Sequence, residues 1–275
     1  MIESIPDKSF ERLSVRDTDI FVEGHGETTL LMVHGWPDTH RLWDGLIDQL
    51  KADYRCARFT LPGFGVSDPR RQRTLGEVVG VLEAVIDAVS PDRPVTLVLH
   101  DWGCFYGYQY YMKNPRRVSR IVGFDVGDVD SKEMKLPLSM ILFTLSYQLW
   151  LTGAWVIGGR TGDAMTRLFA RAIGVRADLC LVHSGMNYGY YLKYRCALFG
   201  KSQGDVPFDP ACPMLFLYGH RKPTMFHSNA FVERLNRAPS SKAVGFDAGH
   251  WLMLEQPTEV AGEIRDWMRA FSARP

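Results

Sequence analysis

The sequence predicts an α/β protein with a mostly parallel, doubly wound sheet, covered by helices on both faces. Apolar segments rich in β-branched residues alternate along the chain with segments that have helical periodicity. Several strand-like segments are continuously apolar, as expected for strands buried on both faces. Because this alternation requires crossover connections, neighbouring strands are expected to run parallel. At 275 residues the chain is long enough for one large domain of this kind.

Strand and helix segments follow one another in a regular order. Strands are predicted at 19–23, 28–34, 54–59, 95–100, 120–125, 213–219 and 242–247. Helices are predicted at 40–51, 74–89, 104–113, 226–237 and 258–271. The second of these helices begins at Thr74, and Glu77 follows three residues later, which is the pattern of a capping box.

The segment from 127 to 206 interrupts this order. It is rich in tyrosine, tryptophan and glycine, and no part of it has the pattern of a strand. We therefore predict a helical lid over 127–206, inserted after the strand that ends at Asp125, and an α/β core formed by 1–126 and 207–275. Within the insertion, the run Leu136–Gly159 contains no charged residue. It is long enough to span a bilayer, but its proline and polar residues favour a lid segment over a membrane span.

The overall charge and the cysteines exclude several classes of function. The 32 lysine and arginine residues nearly balance the 31 aspartate and glutamate residues, so no basic surface for a nucleic acid is predicted. The five cysteines are scattered without a CxxC pair, which argues against a disulfide framework and a structural zinc site. The charged N-terminal residues have no apolar stretch of the kind found in a signal peptide. We expect a cytoplasmic protein, and homo-oligomerisation stays open.

Asp101 occupies the most informative position in the chain. The segment Leu97–Gly103 (LVLHDWG) is an apolar strand that runs directly into a tight turn and then into a helix. A reactive side chain at the apex of such a turn faces the N–H of the next residue and the helix N-terminus, which together stabilise negative charge. A carboxylate at this apex would attack an alkyl carbon and form an ester intermediate. The alternative is that Asp101 only caps the helix.

Two other motifs supply partners for Asp101. HGWP at 34–37 follows an apolar strand, so the N–H groups of Trp36 and Trp102 are expected to form an oxyanion hole together. His250 follows the last predicted strand and a glycine. Its place in the chain completes the order nucleophile, acid, base, which makes it the candidate base.

Four short motifs occur in a fixed order along the chain: HGWP at 34–37, GFGVSD at 63–68, HDWG at 100–103 and GHW at 249–251. Together they resemble the epoxide hydrolase and haloalkane dehalogenase branch of the α/β-hydrolase fold. The resemblance covers nearly the whole chain and implies that fold, with the lid inserted after its sixth strand. Leu99 departs from the pattern, because many relatives have glycine two residues before the nucleophile.

The same resemblance implies two lid tyrosines that hold the oxygen of an epoxide. Tyr147 begins a Tyr-Gln-Leu-aromatic segment and Tyr194 lies in a Lys-Tyr-Arg segment, both similar to family segments, with Tyr191 as the substitute for Tyr194. A phenol is neutral at pH 7, so it can stabilise and then protonate the alkoxide that ring opening produces. Trp150 and Phe143, with Tyr191, are expected to contact an apolar or aromatic substrate.

A haloalkane dehalogenase would use the same nucleophile and base, so the lid decides between the two activities. Family dehalogenases bind the departing halide through the tryptophan beside the nucleophile and through an asparagine or a second tryptophan. Trp102 is present, but the position of Trp36 carries no asparagine. The lid tyrosines therefore favour an epoxide hydrolase. A binding protein that keeps the fold without turnover is a third interpretation, which the presence of nucleophile and base disfavours.

The acid that orients the histidine is expected in an unusual place. Relatives carry it in the loop after strand 213–219, but here that loop reads HRKP at 220–223, without a carboxylate. A catalytic histidine still needs an acceptor that orients it. Asp125, 24 residues after the nucleophile, lies where one dehalogenase subgroup has its acid. We predict Asp125, with Asp128 as the next candidate and Asp247 as the third, and the segment 220–223 has no predicted role.

These observations predict a hydrolase that converts an epoxide into a vicinal diol. Asp101 would attack an epoxide carbon while Tyr147 and Tyr194 hold the oxygen, which gives an ester on Asp101. His250, oriented by Asp125, would activate the water that hydrolyses this ester. The reaction needs neither a metal nor an organic cofactor, and the expected partner is a small apolar or aromatic epoxide.

Overall fold

One eight-stranded sheet lies at the centre of the computed structural model, which describes residues 10–129, 131–200, 202, 204–222 and 224–272. The strands are β1 (Glu11–Val15), β2 (Thr18–Glu23), β3 (Thr29–Val33), β4 (Arg55–Phe59), β5 (Val95–His100), β6 (Val118–Phe124), β7 (Met214–Gly219) and β8 (Lys242–Phe246). They lie in the order β1-β2-β4-β3-β5-β6-β7-β8. The pairs β1–β2 and β2–β4 are antiparallel and the other pairs are parallel. The predicted mostly parallel sheet is confirmed.

Strand β1 has no counterpart among the predicted strands. It lies at the edge of the sheet, where Glu11 and Arg12 are exposed, so it lacks the apolar pattern that signals a strand. It is joined to β2 by the two-residue turn Arg16–Asp17, and both turn residues have positive φ, 48° and 60°. Such turns usually contain glycine or asparagine. Because neither residue type occurs here, the hairpin has no turn signal either.

Helices cover both faces of the sheet. In the described part of the chain they are α1 (Asp44–Leu50), α2 (Leu75–Val89), α3 (Trp102–Lys113), α4 (Leu138–Ile157), α5 (Gly159–Ala172), α6 (Tyr188–Leu198), α7 (Asn229–Arg237), α8 (Leu252–Glu255) and α9 (Pro257–Ser272). Helices α1 and α9 pack on one face, and α2 and α3 pack on the other. Thr74 and Glu77 form the predicted capping box of α2. The predicted helix 40–51 begins instead as a 3-10 helix, and α7 begins only after Ser228, which caps it.

Three helices, α4, α5 and α6, lie in the insertion between β6 and β7. Where the structure describes this insertion it contains no strand, as expected, while its outer boundaries and its action as a lid stay predictions. Helix α4 packs against α5 and α6 through one buried face, made by Gln148, Leu151, Ala154 and Trp155. By length and composition α4 could cross a bilayer. The expectation that it instead belongs to a lid stays a prediction.

The loops that carry the predicted site residues leave the same edge of the sheet. Strands β3, β5 and β6 are neighbours, with Val33 beside Leu99 and Leu99 beside Gly123. Because the carboxyl ends of parallel strands meet at one edge, the loops that follow these strands converge. The loops after β7 and β8 reach the same edge, since both strands run parallel to β6. This edge therefore positions the candidate site.

Leu99, the departure from the family pattern, is accommodated by a glycine on α3. Leu99 is fully buried, and a Cβ added to Gly107 would lie 2.5 Å from both of its methyl carbons. A carbon–carbon approach this close is sterically forbidden. The large side chain on the strand is thus matched by the missing side chain on the helix.

Candidate active site

Asp101 lies at the apex of the turn between β5 and α3, as predicted. Its backbone has φ 52° and ψ −122°, a conformation that residues other than glycine rarely adopt. Its side chain makes no capping hydrogen bond to α3, so the alternative role as a helix cap finds no support in the geometry. The strained turn instead directs the carboxylate into the space above the sheet edge.

Two backbone N–H groups lie beside the carboxylate of Asp101. The N–H of Trp36 donates to Oδ1 over 2.7 Å. Burial raises the pKa of Asp101, but His250 and, to a smaller extent, the N–H of Trp102 lower it. Gly35 permits this approach, because a Cβ there would lie 2.4 Å from Oδ1 and 2.5 Å from the nitrogen of Trp102. The structure therefore brings together the two donors predicted for an oxyanion hole.

His250 lies between two carboxylates. Its Nδ1 is hydrogen-bonded to Oδ2 of Asp125, and its Nε2 is 3.7 Å from Oδ2 of Asp101. The longer distance is that of an ion pair, and such contacts often tighten only when a substrate is bound. Burial lowers the pKa of His250, but the charges of Asp125 and Asp101 outweigh burial and raise this pKa to about 9.

Asp125 is fully buried directly after β6. It has φ 69°, and the N–H of Val126 donates to the carbonyl of Phe124 over 2.8 Å, so the chain turns sharply at this residue. Burial raises the pKa of Asp125, but the positive charges of His250 and Lys222 outweigh it and lower the pKa to about 2. A carboxylate that stays ionised here can orient the imidazole and stabilise its protonated form.

The other two candidate acids have different partners. Asp128 accepts hydrogen bonds from the N–H and the hydroxyl of Ser228, each over 2.7 Å, and so ties its loop to the start of α7. Asp247 is exposed and forms an ion pair with Arg221 over 3.2 Å. Of the three predicted carboxylates, only Asp125 contacts His250.

Lys222 is a site residue that the sequence did not indicate. Its ammonium group forms a salt bridge with Oδ1 of Asp125, and only 7% of its side chain is exposed. The N–H of Gly219 donates to the same oxygen over 3.1 Å. The sequence offered one signal: Arg221 and Lys222 are basic and lie in the loop where the family resemblance implies an acid. Charge alone does not show which of the two side chains turns inward.

Two tyrosines from the insertion face Asp101, and one of them was not predicted. Tyr147 and Tyr190 both line the cavities on the two sides of Asp101. The hydroxyl oxygen of Tyr147 accepts a hydrogen bond from Nε2 of Gln148 over 3.3 Å. The ring of Tyr190 packs edge-on against Trp102, 5.2 Å between centroids.

Burial keeps both of these phenols protonated. It raises the pKa of Tyr147 to about 12, although the hydrogen bond from Gln148 opposes the shift. It also raises the pKa of Tyr190 well above the usual value, although the neighbouring side chain of Trp102 opposes the shift. Because the hydroxyl oxygen of Tyr147 accepts from Gln148, its hydroxyl hydrogen is free to donate elsewhere.

Tyr194, predicted as the second donor, lies in a different place. Its hydroxyl donates to Oε1 of Gln148 over 3.1 Å, and its ring lies outside both cavities beside Asp101. Tyr190 precedes Tyr194 by one helical turn, so the two share a face of α6 and only the tilt of the helix decides which one reaches the site. Tyr191 packs against Trp155 instead, 5.9 Å between ring centroids.

Two cavities of about 330 and 300 Å³ meet at Asp101. Phe143 lines the second, as expected for a substrate contact. Trp150 lines neither, because its indole N–H donates to the carbonyl of Met165 over 3.0 Å on the outside of the insertion. Within the described ranges no group of three His, Cys, Asp or Glu side chains is arranged to hold a metal ion.

The indole N–H of Trp36 is engaged away from the cavity. It donates to Oδ1 of Asn187 over 2.8 Å, and Asn187 donates in turn to Thr166 over 2.8 Å. All three groups are buried. Trp36 therefore offers its backbone N–H to Asp101 while its side-chain donor is already satisfied.

Curated relatives match this chain at low to moderate identity. "Probable oxidoreductase EphD" of Mycobacterium tuberculosis is 34% identical over 109 residues, which cover 38% of this chain and 18% of that protein. "Cis-3-alkyl-4-alkyloxetan-2-one decarboxylase" of Shewanella oneidensis is 33% identical over 123 residues, covering 43% and 38%. "Epoxide hydrolase 1" of Caenorhabditis elegans is 21% identical over 266 residues, covering 88% and 65%. The chain thus matches less than two thirds of the length of each of these relatives.

A solved structure and a family profile extend over most of the chain. The epoxide hydrolase of Bacillus megaterium, in complex with an inhibitor, is similar over 94% of this chain and 100% of that chain, with a TM-score of 0.71 and 18% identity. At this identity the likeness shows the fold, which is the α/β-hydrolase fold. The profile of the alpha/beta hydrolase family matches residues 30–263. The chain therefore belongs to the alpha/beta hydrolase family.

Proposed function

We propose that this protein is an epoxide hydrolase that forms a covalent ester on Asp101. One arrangement carries the proposal: the carboxylate of Asp101 lies between a histidine–aspartate pair on one side and two protonated tyrosines on the other. A nucleophile opposite proton donors is what ring opening of an epoxide requires, since the carbon–oxygen bond breaks as the oxygen gains charge. The apolar and aromatic lining of the cavities fits an apolar or aromatic epoxide.

In the first step Oδ2 of Asp101 attacks an epoxide carbon. Oδ1, which accepts the N–H of Trp36, becomes the carbonyl oxygen of the ester and faces the oxyanion hole that Trp36 and Trp102 form. Tyr147 and Tyr190 hydrogen-bond the epoxide oxygen, and one of them gives it a proton and becomes a phenolate. Tyr190 takes the role expected of Tyr194. Tyr194 instead donates a hydrogen bond to Gln148, which in turn donates to Tyr147.

In the second step His250 acts as a base. Esterification removes the charge of Asp101, one of the two carboxylates that raise the pKa of His250, so the imidazolium returns a proton to the phenolate. Neutral His250, oriented by Asp125, then takes a proton from water, which attacks the ester carbonyl carbon. The two backbone N–H groups stabilise the oxyanion, and collapse releases a vicinal diol and restores the carboxylate and the imidazolium.

Haloalkane dehalogenation is the less favoured candidate activity for the same nucleophile, Asp101. Halide release requires convergent N–H donors that face the leaving group. The indole of Trp36 is committed to Asn187, and the indole of Trp102 lies against Tyr190. The site therefore has better donors for an alkoxide that must be protonated than for a halide that leaves as an anion.

An unbuffered assay on terminal epoxides and bromoalkanes tests the proposed activity. Hydration of an epoxide releases a diol and no net proton, whereas dehalogenation releases halide and acid together. We expect diol without acidification, and loss of turnover in Asp101→Asn. Halide with acidification would assign the dehalogenase activity instead, and turnover of neither panel would argue against both.

Replacement of His250 with glutamine isolates the covalent step. The nucleophile remains but the base for ester hydrolysis is missing, so the hydroxyalkyl ester should accumulate on the Asp101 peptide and be visible by mass spectrometry. Asp125→Asn should also slow ester hydrolysis, because the imidazole loses its charged acceptor. His25→Gln is a matched control, since His25 is exposed and precedes the amino end of β3, whereas the site lies beyond the carboxyl end of that strand. An Asp101 peptide without an adduct, in a variant given a true substrate, would rule out the two-step scheme.

A further inference from the structure

We propose that Lys222 is a positioning residue for ester hydrolysis: it fixes the carboxylate of Asp125 and limits the basicity of His250, so that the imidazolium can release its proton. The proposal rests on the proposed function, because it concerns the second step of that reaction. It also gives a role to the segment 220–223, for which the sequence indicated none.

The contacts of Asp125 show how Lys222 acts on its position. Oδ1 accepts hydrogen bonds from Lys222 and from the N–H of Gly219, whereas Oδ2 accepts the hydrogen bond from His250. With partners on both oxygens the carboxylate cannot rotate without losing a charged contact. Replacement of Lys222 by an apolar residue would leave a buried oxygen with a single N–H donor.

The loop that carries Lys222 is attached on two sides. The N–H of His220 donates to the carbonyl of Phe246 over 3.0 Å, and the N–H of Arg221 donates to the carbonyl of Ala248 over 2.9 Å. On the other side the N–H of Gly127 donates to the carbonyl of Phe226 over 2.8 Å. These bonds span the chain on each side of Lys222, so its backbone position follows from the strand ends themselves.

The charges around His250 explain why a neighbouring cation matters. Asp101 and Asp125 both favour the imidazolium. Once Asp101 is an ester, Asp125 is the remaining charged acceptor, and Lys222 is the cation in contact with it. A unit charge one side chain away is worth on the order of one pKa unit at an effective dielectric constant of about 20. Lys222 therefore shifts His250 toward the neutral form that ester hydrolysis needs.

The other titratable groups near His250 do not supply this cation. Burial lowers the pKa of His100 to about 3, so this ring is uncharged although it packs against His250, with 4.5 Å between the ring centroids. Burial raises the pKa of Asp38 to about 7, but a carboxyl group is either neutral or negative, so Asp38 supplies no positive charge. Arg221 is paired with Glu255, and Arg176, which lines the rim of the second cavity, is exposed to solvent and screened.

The test measures ester formation and ester hydrolysis separately as functions of pH, in the wild type, Lys222→Met and Lys222→Gln. Methionine removes charge and hydrogen bond, whereas glutamine keeps a donor to Asp125 and removes only the charge. In both variants we expect the acid limb of the pH profile for ester hydrolysis to move to higher pH by about one unit, because His250 becomes more basic. At a pH on this limb the rate of hydrolysis should then be about tenfold lower than in the wild type. Lys242→Met is the matched control, because Lys242 pairs with Glu263 on the surface.

Chemical rescue adds a measurement that would show no effect if Lys222 had only a structural role. In Lys222→Ala, added ethylammonium should restore hydrolysis, whereas tetramethylammonium, which cannot donate a hydrogen bond, should not. Unchanged pH profiles in folded Lys222→Met and Lys222→Gln would overturn the proposal, and so would an equal loss of both steps at every pH without rescue. A wild-type enzyme that forms no ester would contradict the proposed function itself, which is a different result from either of these.

Discussion

Phenylalanine substitutions at Tyr147 and Tyr194 distinguish a tyrosine that touches the substrate from one that acts through Gln148. In Tyr147→Phe the transition state for ring opening loses one of its donors. Loss of a single donor to a developing oxyanion costs about a hundredfold to a thousandfold in rate, or roughly 2.7–4 kcal/mol. We expect a loss of this size in the rate of ester formation, with a similar loss for Tyr190→Phe.

Tyr194→Phe should cost much less. The substitution removes one neutral hydrogen bond, 3.1 Å long, to a glutamine that also has Tyr147 as a partner. A neutral hydrogen bond contributes roughly 0.5–1.5 kcal/mol. The rate of ester formation should therefore fall about twofold to tenfold, through weaker orientation of Gln148.

Single-turnover kinetics with excess enzyme give the required rate. Formation of the ester can be followed by rapid quenching and mass spectrometry of the Asp101 peptide. Tyr191→Phe is the matched control, since this ring packs on Trp155 outside both cavities. If Tyr194→Phe is as slow as Tyr147→Phe while Tyr190→Phe keeps nearly full rate, the assignment of Tyr190 is refuted and the expectation from the sequence was right.

Three further predictions follow from close contacts and from charge. Gly107→Ala should lower the free energy of unfolding in urea by about 1–3 kcal/mol because it overpacks the core against Leu99, and Leu99→Ala in the same chain should recover part of the loss. Gly35→Ala should abolish ester formation, because its Cβ would lie 2.4 Å from Oδ1 of Asp101, whereas Gly76→Ala, which has open space around its Cβ, should leave the rate unchanged. The pKa of His250 rises from 6.5 to about 9 in the folded protein, so protonated His250 stabilises the folded state fully below pH 6.5, and this contribution is lost as the pH rises through 9. The difference in the free energy of unfolding between wild type and His250→Gln should therefore shrink over this pH range.

Local patterns made most of the fold and the polar centre of the site predictable. The strand before Asp101 is mostly apolar and a helix follows directly after Asp101, so both the parallel sheet and the turn could be predicted from neighbouring residues. The donor pair Trp36 and Trp102 and the link between His250 and Asp125 follow from strand ends that share one edge. Strand β1 could not be found in this way, because an exposed edge strand needs no apolar pattern.

The residues that sequence reasoning misplaced depend on how separate elements pack. Tyr190 and Tyr194 are one helical turn apart on the same face, and the tilt of α6 decides which one enters the cavity. Trp150 belongs to a helix with few polar positions, so its outward orientation has no amphipathic signal. Lys222 lies in a loop, and its inward turn follows from the buried charge of Asp125, which only the assembled strands bring within reach.

A single turnover in water labelled with heavy oxygen tests the covalent mechanism most directly. With enzyme in excess over a terminal epoxide, the oxygen added to the first diol comes from Asp101 and not from water, because water attacks the ester carbonyl carbon. We predict an unlabelled first diol and one heavy oxygen in the Asp101 peptide. A labelled first diol together with an unlabelled Asp101 peptide would show direct attack of water on the epoxide and would contradict the proposed mechanism.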